Sequence, residues 1–261
     1  MISYQDVTIG PALPRRTPGP AEIPHRIAAH PPFRQTFPIM ASPDMPSTIV
    51  LSDHALRAHL SAADPDLAAL VARVGPCGLR VDADRAPYEA LVNAIAHQQL
   101  HGRAALAILG RLVALAGGAF PPPETLLALP EADLRACGLS GTKIRAIRGV
   151  AQARLDGVVP SRHEAESMSD EDLIARLTTL RGVGRWTVEM LLIFSLGRAD
   201  IMPVDDFGVR EGWRVIKRLD TQPRPAELAA IARDWSPHRS AAAWYLWRAA
   251  EAAKARQYVA P

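Results

Sequence analysis

The string LRGVGRWTVEM, residues 180–190, sets Gly182 and Gly184 one residue apart, immediately before an apolar stretch. Two glycines so spaced let a chain turn tightly and approach another surface closely. If the apolar stretch is a helix, its first amides are unpaired and carry the positive end of the helix dipole, which suits an anion such as a DNA phosphate. Arg181 and Arg185 add charge beside the turn. A plain corner between two helices would use the same glycines, so the string alone leaves both readings open. Some 20 residues on, PVDDFGVREG presents adjacent carboxylates, Asp205 and Asp206, at the entrance to another helix. Capping a helix is the ordinary use of such a pair. Stabilising positive charge, or activating a water, is the chemical use. All five tryptophans, Trp186, Trp213, Trp235, Trp244 and Trp247, lie at or after the glycine turn. Tryptophans on helices are more often core than pocket.

The elements that must position these residues are almost all helical. Ser52 can cap the first helix, Pro87 opens PYEALVNAIAHQQL, and Ser169 with Asp172 forms a capping box before LIARLTTL. Helical patterns continue through GRAALAILGRLVALAGG, two short proline-initiated segments, TKIRAIRGVAQARLDG, RWTVEMLLIFSLG, VREGWRVIKRL, AELAAIARDW and RSAAAWYLWRAAEAAKAR. GLRVDAD is the one plausible strand. The class expected is all-α, with about ten helices. Residues 1–48 are rich in proline and read as a disordered tail, with residues 49–261 as the folded domain. Arg15, Arg16, Arg26 and Arg34 in the tail could touch phosphate; a dispensable tail, or a start at Met40 or Met45, explains the stretch equally well.

In order along the chain, NAIAHQQLHGRAA, LSGTKIRAI, LRGVGRWTVEM, PVDDFGVREG and WSPHRSAAAWYLW resemble segments of the helix-hairpin-helix (HhH-GPD) superfamily of DNA glycosylases, in its DNA-3-methyladenine glycosylase II branch. The resemblance spans roughly residues 60–250. It implies a two-lobed helical fold with an active-site cleft between the lobes. Arg181 stands where proline is usual, Val188 where alanine is usual, Met190 where an aromatic is often found, and His101 where serine is common. In that branch the catalytic acid directly precedes an apolar or aromatic residue and a helix, which selects Asp206. Gapless alignment to the endonuclease III branch would select Asp205, for which capping is the expected role.

The resemblance assigns the remaining parts. Trp186, Met190 and Trp247 would line the pocket for an extruded base, with Tyr88 a further candidate. Gln99 and Leu100 would fill the gap left in the duplex, and Gln98 would be structural or face the pocket. Gly182, Gly184, Arg185, Thr187, Arg181 and Lys143 would meet phosphates. The backbone carbonyls of Thr178, Leu180 and Val183 would hold a structural monovalent cation, sodium or potassium. Bifunctional relatives carry a nucleophilic lysine two residues after the second glycine; here that residue is Trp186, so hydrolysis without strand cleavage is implied.

The implied activity is removal of alkylated bases, 3-methyladenine first and 7-methylguanine as a further candidate, from double-stranded DNA in base excision repair. A non-catalytic DNA-binding module and a glycosylase for another lesion are the alternatives. Composition agrees with such a partner: the net charge is +3 and the isoelectric point about 9.1. Two cysteines, Cys77 and Cys137, are too few for an iron–sulfur cluster or a four-thiolate zinc site. No apolar run reaches the ~18 residues of a membrane span. A monomeric cytoplasmic protein with no required cofactor is expected.

Overall fold

A computed structural model describes residues 48–50, 54–100 and 102–259. The expected tail over residues 1–47, the cap Ser52 and the departure at His101 lie outside the described residues. The helices begin where the sequence supplies N-terminal partners. After α1 (His54–Ala63), the Asp64 carboxylate accepts from the amides of Asp66 and Leu67 and starts α2 (Pro65–Val74). GLRVDAD does yield a strand, β2 (Arg80–Asp82), and its antiparallel partner is β1 (Thr48–Val50), with Ile49 opposite Val81. Pairing thus begins at Thr48, one residue inside the segment expected to be tail.

Helices α3 (Pro87–His97), α4 (Gly102–Leu115), α5 (Pro123–Ala128), α6 (Glu131–Ala136) and α7 (Gly141–Leu155) follow. Then come α8 (Arg162–Ser167), α9 (Asp170–Leu177), α10 (Arg185–Phe194), α11 (Phe207–Lys217), α12 (Pro225–Ile231) with a 3-10 turn at Ala232–Trp235, and α13 (Arg239–Val259). The described residues thus form thirteen α-helices where about ten were expected. Helix α8 was not anticipated, although Ser161 and Glu164 form a reciprocal capping box at its start. Ser169 caps α9 as the sequence predicts, accepting from the amide of Asp172. No helix among the described residues is long and apolar enough to cross a membrane.

Two groups of helices share one continuous core. Helices α1 and α2 pack with α11, α13 and the 3-10 turn, so the beginning and end of the described chain meet. Helices α3 to α7 pack on one another, and α10 packs on α3 and α9. Helix α3 is buried almost all round, from Tyr88 and Leu91 to Ile95, and α10 buries every residue from Thr187 to Ile193. Such helices belong to an interior rather than a surface. Trp213 and Trp235 pack at 5.2 Å between ring centres, and Trp244 is buried against Tyr245, so these three tryptophans are core. Cys77 and Cys137 are buried free thiols.

Helix α11 lies directly on α13. At Gly212 a Cβ would overlap the carbonyl of Leu246, so only a bare Cα permits this approach. The atom in the way is backbone and cannot rotate aside. Gly212→Ala is therefore expected to lower stability by about 3 kcal/mol or more, read as a fall in the urea midpoint at unchanged m-value.

Candidate active site

Asp206 ends the loop after α10 and begins α11. Its Oδ1 accepts from the Val209 amide at 2.8 Å, so Asp206 is the N-cap of that helix. The capping role expected of Asp205 thus falls to its neighbour, and Asp205 is exposed. A carboxylate at a helix N-terminus also lies in the favourable field of the dipole. Two indoles complete its shell. Trp247 Nε1 on α13 donates to Oδ1 at 2.9 Å, and Trp186 Nε1 on α10 donates to Oδ2 at 2.9 Å. Asp206 is 5% exposed. An ionised carboxylate only accepts, and three N–H donors fix its plane. Trp186 stays half-buried, whereas Trp247 is buried and stacks on Phe194 at 5.7 Å. Met190, one turn beyond Trp186, is buried. Sequence reasoning placed the two indoles as pocket walls; the structure makes both of them donors to the acid.

The glycine turn joins α9 to α10. Gly182 has φ +84°, and a Cβ there would stand 2.8 Å from that of Ala146 on α7. Left-handed backbone and close approach both require glycine at this position. Gly184 differs: its φ is −92° and a Cβ would meet no atom within 4 Å, so its smallness serves the open side of the turn. The amides of Gly184 and Arg185 have no hydrogen-bond acceptor among the described residues, and Arg181 is exposed beside them with no ion pair there. Thr187 is buried; its amide bonds to Gly184 and its hydroxyl accepts from Gln98 Nε2 at 3.3 Å, so its side chain faces the protein.

Two basic residues expected at phosphates are already engaged. Arg185 bonds to Glu171 at 2.8 Å and to Glu189 at 3.1 Å, which neutralises its charge within the protein. Lys143 donates to the Ala96 carbonyl at 2.8 Å, and partial burial lowers its pKa. It ties α7 to the end of α3. The carbonyls of Thr178 and Val183 accept no hydrogen bond among the described residues, and that of Leu180 accepts only from the Val183 amide. Three such oxygens are the hard donors an alkali cation takes. No group of three or more His, Cys, Asp or Glu among the described residues is placed to hold a metal ion.

Helix α3 leads to the segment expected to probe DNA. Gln98 Nε2 donates to the Gly182 carbonyl at 2.9 Å as well as to Thr187, strapping this segment to the glycine turn. Gln99 is exposed and has φ +60°, a left-handed conformation costing a non-glycine residue ~1–2 kcal/mol. Leu100 is half-buried against the core, so Gln99 is the side chain presented outward. Tyr88 is not at this site: it is buried, its hydroxyl donates to the Pro121 carbonyl at 3.1 Å, and its ring packs edge-on against Phe120.

A second buried carboxylate went unnoticed in the sequence. Glu189 on α10 is 3% exposed and pairs with Arg185. Burial pushes its pKa up to about 7 against the pull of Arg185, with Asp205 and Asp206 adding to the rise. The i,i+4 spacing of Arg185 and Glu189 was the available signal. A cavity of about 300 Å³ beside it is bounded by Glu171, Ile174, Arg185, Met202 and Arg239, and by neither indole of the Asp206 shell.

A helical fold that sets one capped carboxylate between two indoles, beside a glycine-turned helix pair, defines a class of DNA-repair protein. The sequence pattern of the HhH-GPD superfamily base excision DNA repair protein family matches residues 92–254. The chain belongs to that family. It is 42% identical to Schizosaccharomyces pombe DNA-3-methyladenine glycosylase 1 over 205 residues, 78% of this chain and 90% of that protein. Its fold is similar to that of the S. pombe 3-methyladenine DNA glycosylase in complex with abasic DNA, with a TM-score of 0.70 and 43% identity over 74% of this chain and 95% of the other. It is also similar to the Bacillus halodurans DNA-3-methyladenine glycosidase, with a TM-score of 0.68 and 31% identity over 80% and 94%.

Glu189 makes the fold sensitive to pH. The folded protein holds this proton to a higher pH than the unfolded chain, whose carboxyl titrates near 4.5, so stability is lost as pH rises through about 7. The wild type is expected to lose urea midpoint between about pH 5 and about pH 8, and Glu189→Gln to flatten that fall.

Proposed function

We propose that the protein is a monofunctional DNA glycosylase that hydrolyses the N-glycosidic bond of alkylated bases in duplex DNA, with 3-methyladenine the principal substrate and 7-methylguanine a second. The observation that carries this reading is the Asp206 carboxylate, held between Trp186 and Trp247 at 2.9 Å each. A base must leave the stack before an enzyme can act on it. As its bond to the sugar breaks, the base takes the electron pair and positive charge builds on the sugar. A carboxylate about 4 Å from that charge, at an effective dielectric near ~20, is worth ~4 kcal/mol, or about a thousandfold in rate. Water then forms the new bond to the sugar carbon, and its proton passes to Asp206 or to solvent.

An alkylated purine that is already cationic leaves without a general acid, which agrees with one carboxylate sufficing. The half-buried ring of Trp186 is the aromatic group that would meet such a cation. Trp186 also occupies the position where a lyase would have its lysine, so the product is an intact strand with an abasic site. The free amides at the glycine turn and the exposed Arg181 would hold a phosphate, Gln99 would enter the duplex, and the carbonyls of Thr178, Leu180 and Val183 would hold a sodium or potassium ion that braces the turn. The protein would act as a monomer.

Release of methylated purines from alkylated duplex DNA tests this reading. Asp206→Asn is expected to slow release about a thousandfold while binding to the duplex persists. Full activity in that variant, or no base release by the wild type, would sink the assignment. Arg181→Ala is expected to reduce the slope of log affinity against log salt by about one, without changing base preference. Arg185→Ala should leave that slope near the wild-type value, because its guanidinium is already paired.

A further inference from the structure

Beyond the acid and its two indoles, we propose that Gly208 is a positioning residue for the reaction: its missing side chain is the space through which Trp247 reaches Asp206. The inference rests on the function proposed above and deepens it. Gly208 lies in the first turn of α11, two residues after the N-cap. A Cβ at this position would stand 2.8 Å from Trp247 Cδ1, 3.3 Å from Trp247 Nε1 and 3.1 Å from Asp206 Oδ1. A methyl group there would therefore crowd both ends of the Trp247–Asp206 hydrogen bond at once.

Neither partner can retreat without losing something. Trp247 is buried, and its ring is stacked on Phe194. Asp206 Oδ1 is also the acceptor for the Val209 amide, so moving it uncaps α11. The backbone of Gly208 does not itself demand glycine, since it lies in a regular helix with no positive φ. Alanine would raise intrinsic helix propensity there. What excludes a side chain is the indole.

Gly212, one turn on, faces the same helix but serves another end. Its Cβ would strike the backbone of α13, which sets the distance between the two helices. Gly208 uses that distance. With the helices this close and no side chain on the first turn, the acid and its indole donor meet directly.

The test is Gly208→Ala, with kcat and KM for base release and with the indole N–H resonance of Trp247, identified by its loss in Trp247→Phe. The variant is expected to fold, to lower kcat by about 10–100-fold, the cost of losing one hydrogen bond to a charged group, and to leave KM within about threefold. The Trp247 N–H resonance should move, and its exchange with solvent should quicken. In the Trp247→Phe background, the same substitution should lower kcat by less than about threefold, because the bond it disturbs is already gone. Wild-type kcat with an unmoved resonance in Gly208→Ala would overturn the proposal. So would additive losses in the double variant, or global unfolding of Gly208→Ala, which would make Gly208 a packing residue like Gly212. The resonance is read without substrate, so failure here is distinguishable from a wild-type protein that releases no base.

Discussion

Three N–H donors from three different helices converge on the carboxylate of Asp206. The Val209 amide belongs to α11, the Trp186 indole to α10 and the Trp247 indole to α13. The two groups of helices meet at this point: α10 packs with the middle of the chain, while α11 and α13 pack with its beginning. Misplacing either group would leave a buried carboxylate short of donors, and that is costly. The site is thus held by the same contacts that align the two halves of the fold. Rigid helices, rather than loops, set the direction in which the acid points.

The glycine turn is built with similar economy but to a different purpose. Gly182 brings the turn onto α7, and Gly184 leaves the start of α10 open. Glu171 and Glu189 hold Arg185 across α9 and α10, bracing the turn from its polar side. These protein contacts shape the turn, while the amides of Gly184 and Arg185, with no acceptor among the described residues, and the exposed Arg181 lie on its open side.

Much of this was legible in the sequence because the signals were local. Ser169 and Ser140 stand three residues before the amides they accept from, and proline opens several helices where it must. The glycine turn and the acidic pair stand out by type and spacing, while the two outer tryptophans are singled out by the family resemblance. Their relation was not, since Trp247 lies 41 residues from Asp206 and only packing decides whether an indole N–H or an indole face meets a carboxylate. Which aspartate caps α11 depended on one step of register. Tyr88 has the residue type of a pocket wall, but α3 is buried nearly all round and turns that ring onto Phe120. Lys143 and Arg185 looked like free charge because sequence does not show which carbonyl or carboxylate a long side chain will find. The glycines at 208 and 212 left a readable trace: two costly residues one turn apart in an otherwise regular helix, which signals close approach of another element.

The strap from Gln98 to Gly182 and Thr187 has a kinetic consequence. It fixes the segment carrying Gln99 to the turn before any duplex arrives, in a backbone conformation whose cost is already met in the free protein. Under the proposed function, gripping the backbone and probing the base stack become one rigid motion, with no loop to order on each encounter. Under that function, the time spent at each base pair would depend on how readily the DNA unstacks rather than on ordering of this segment.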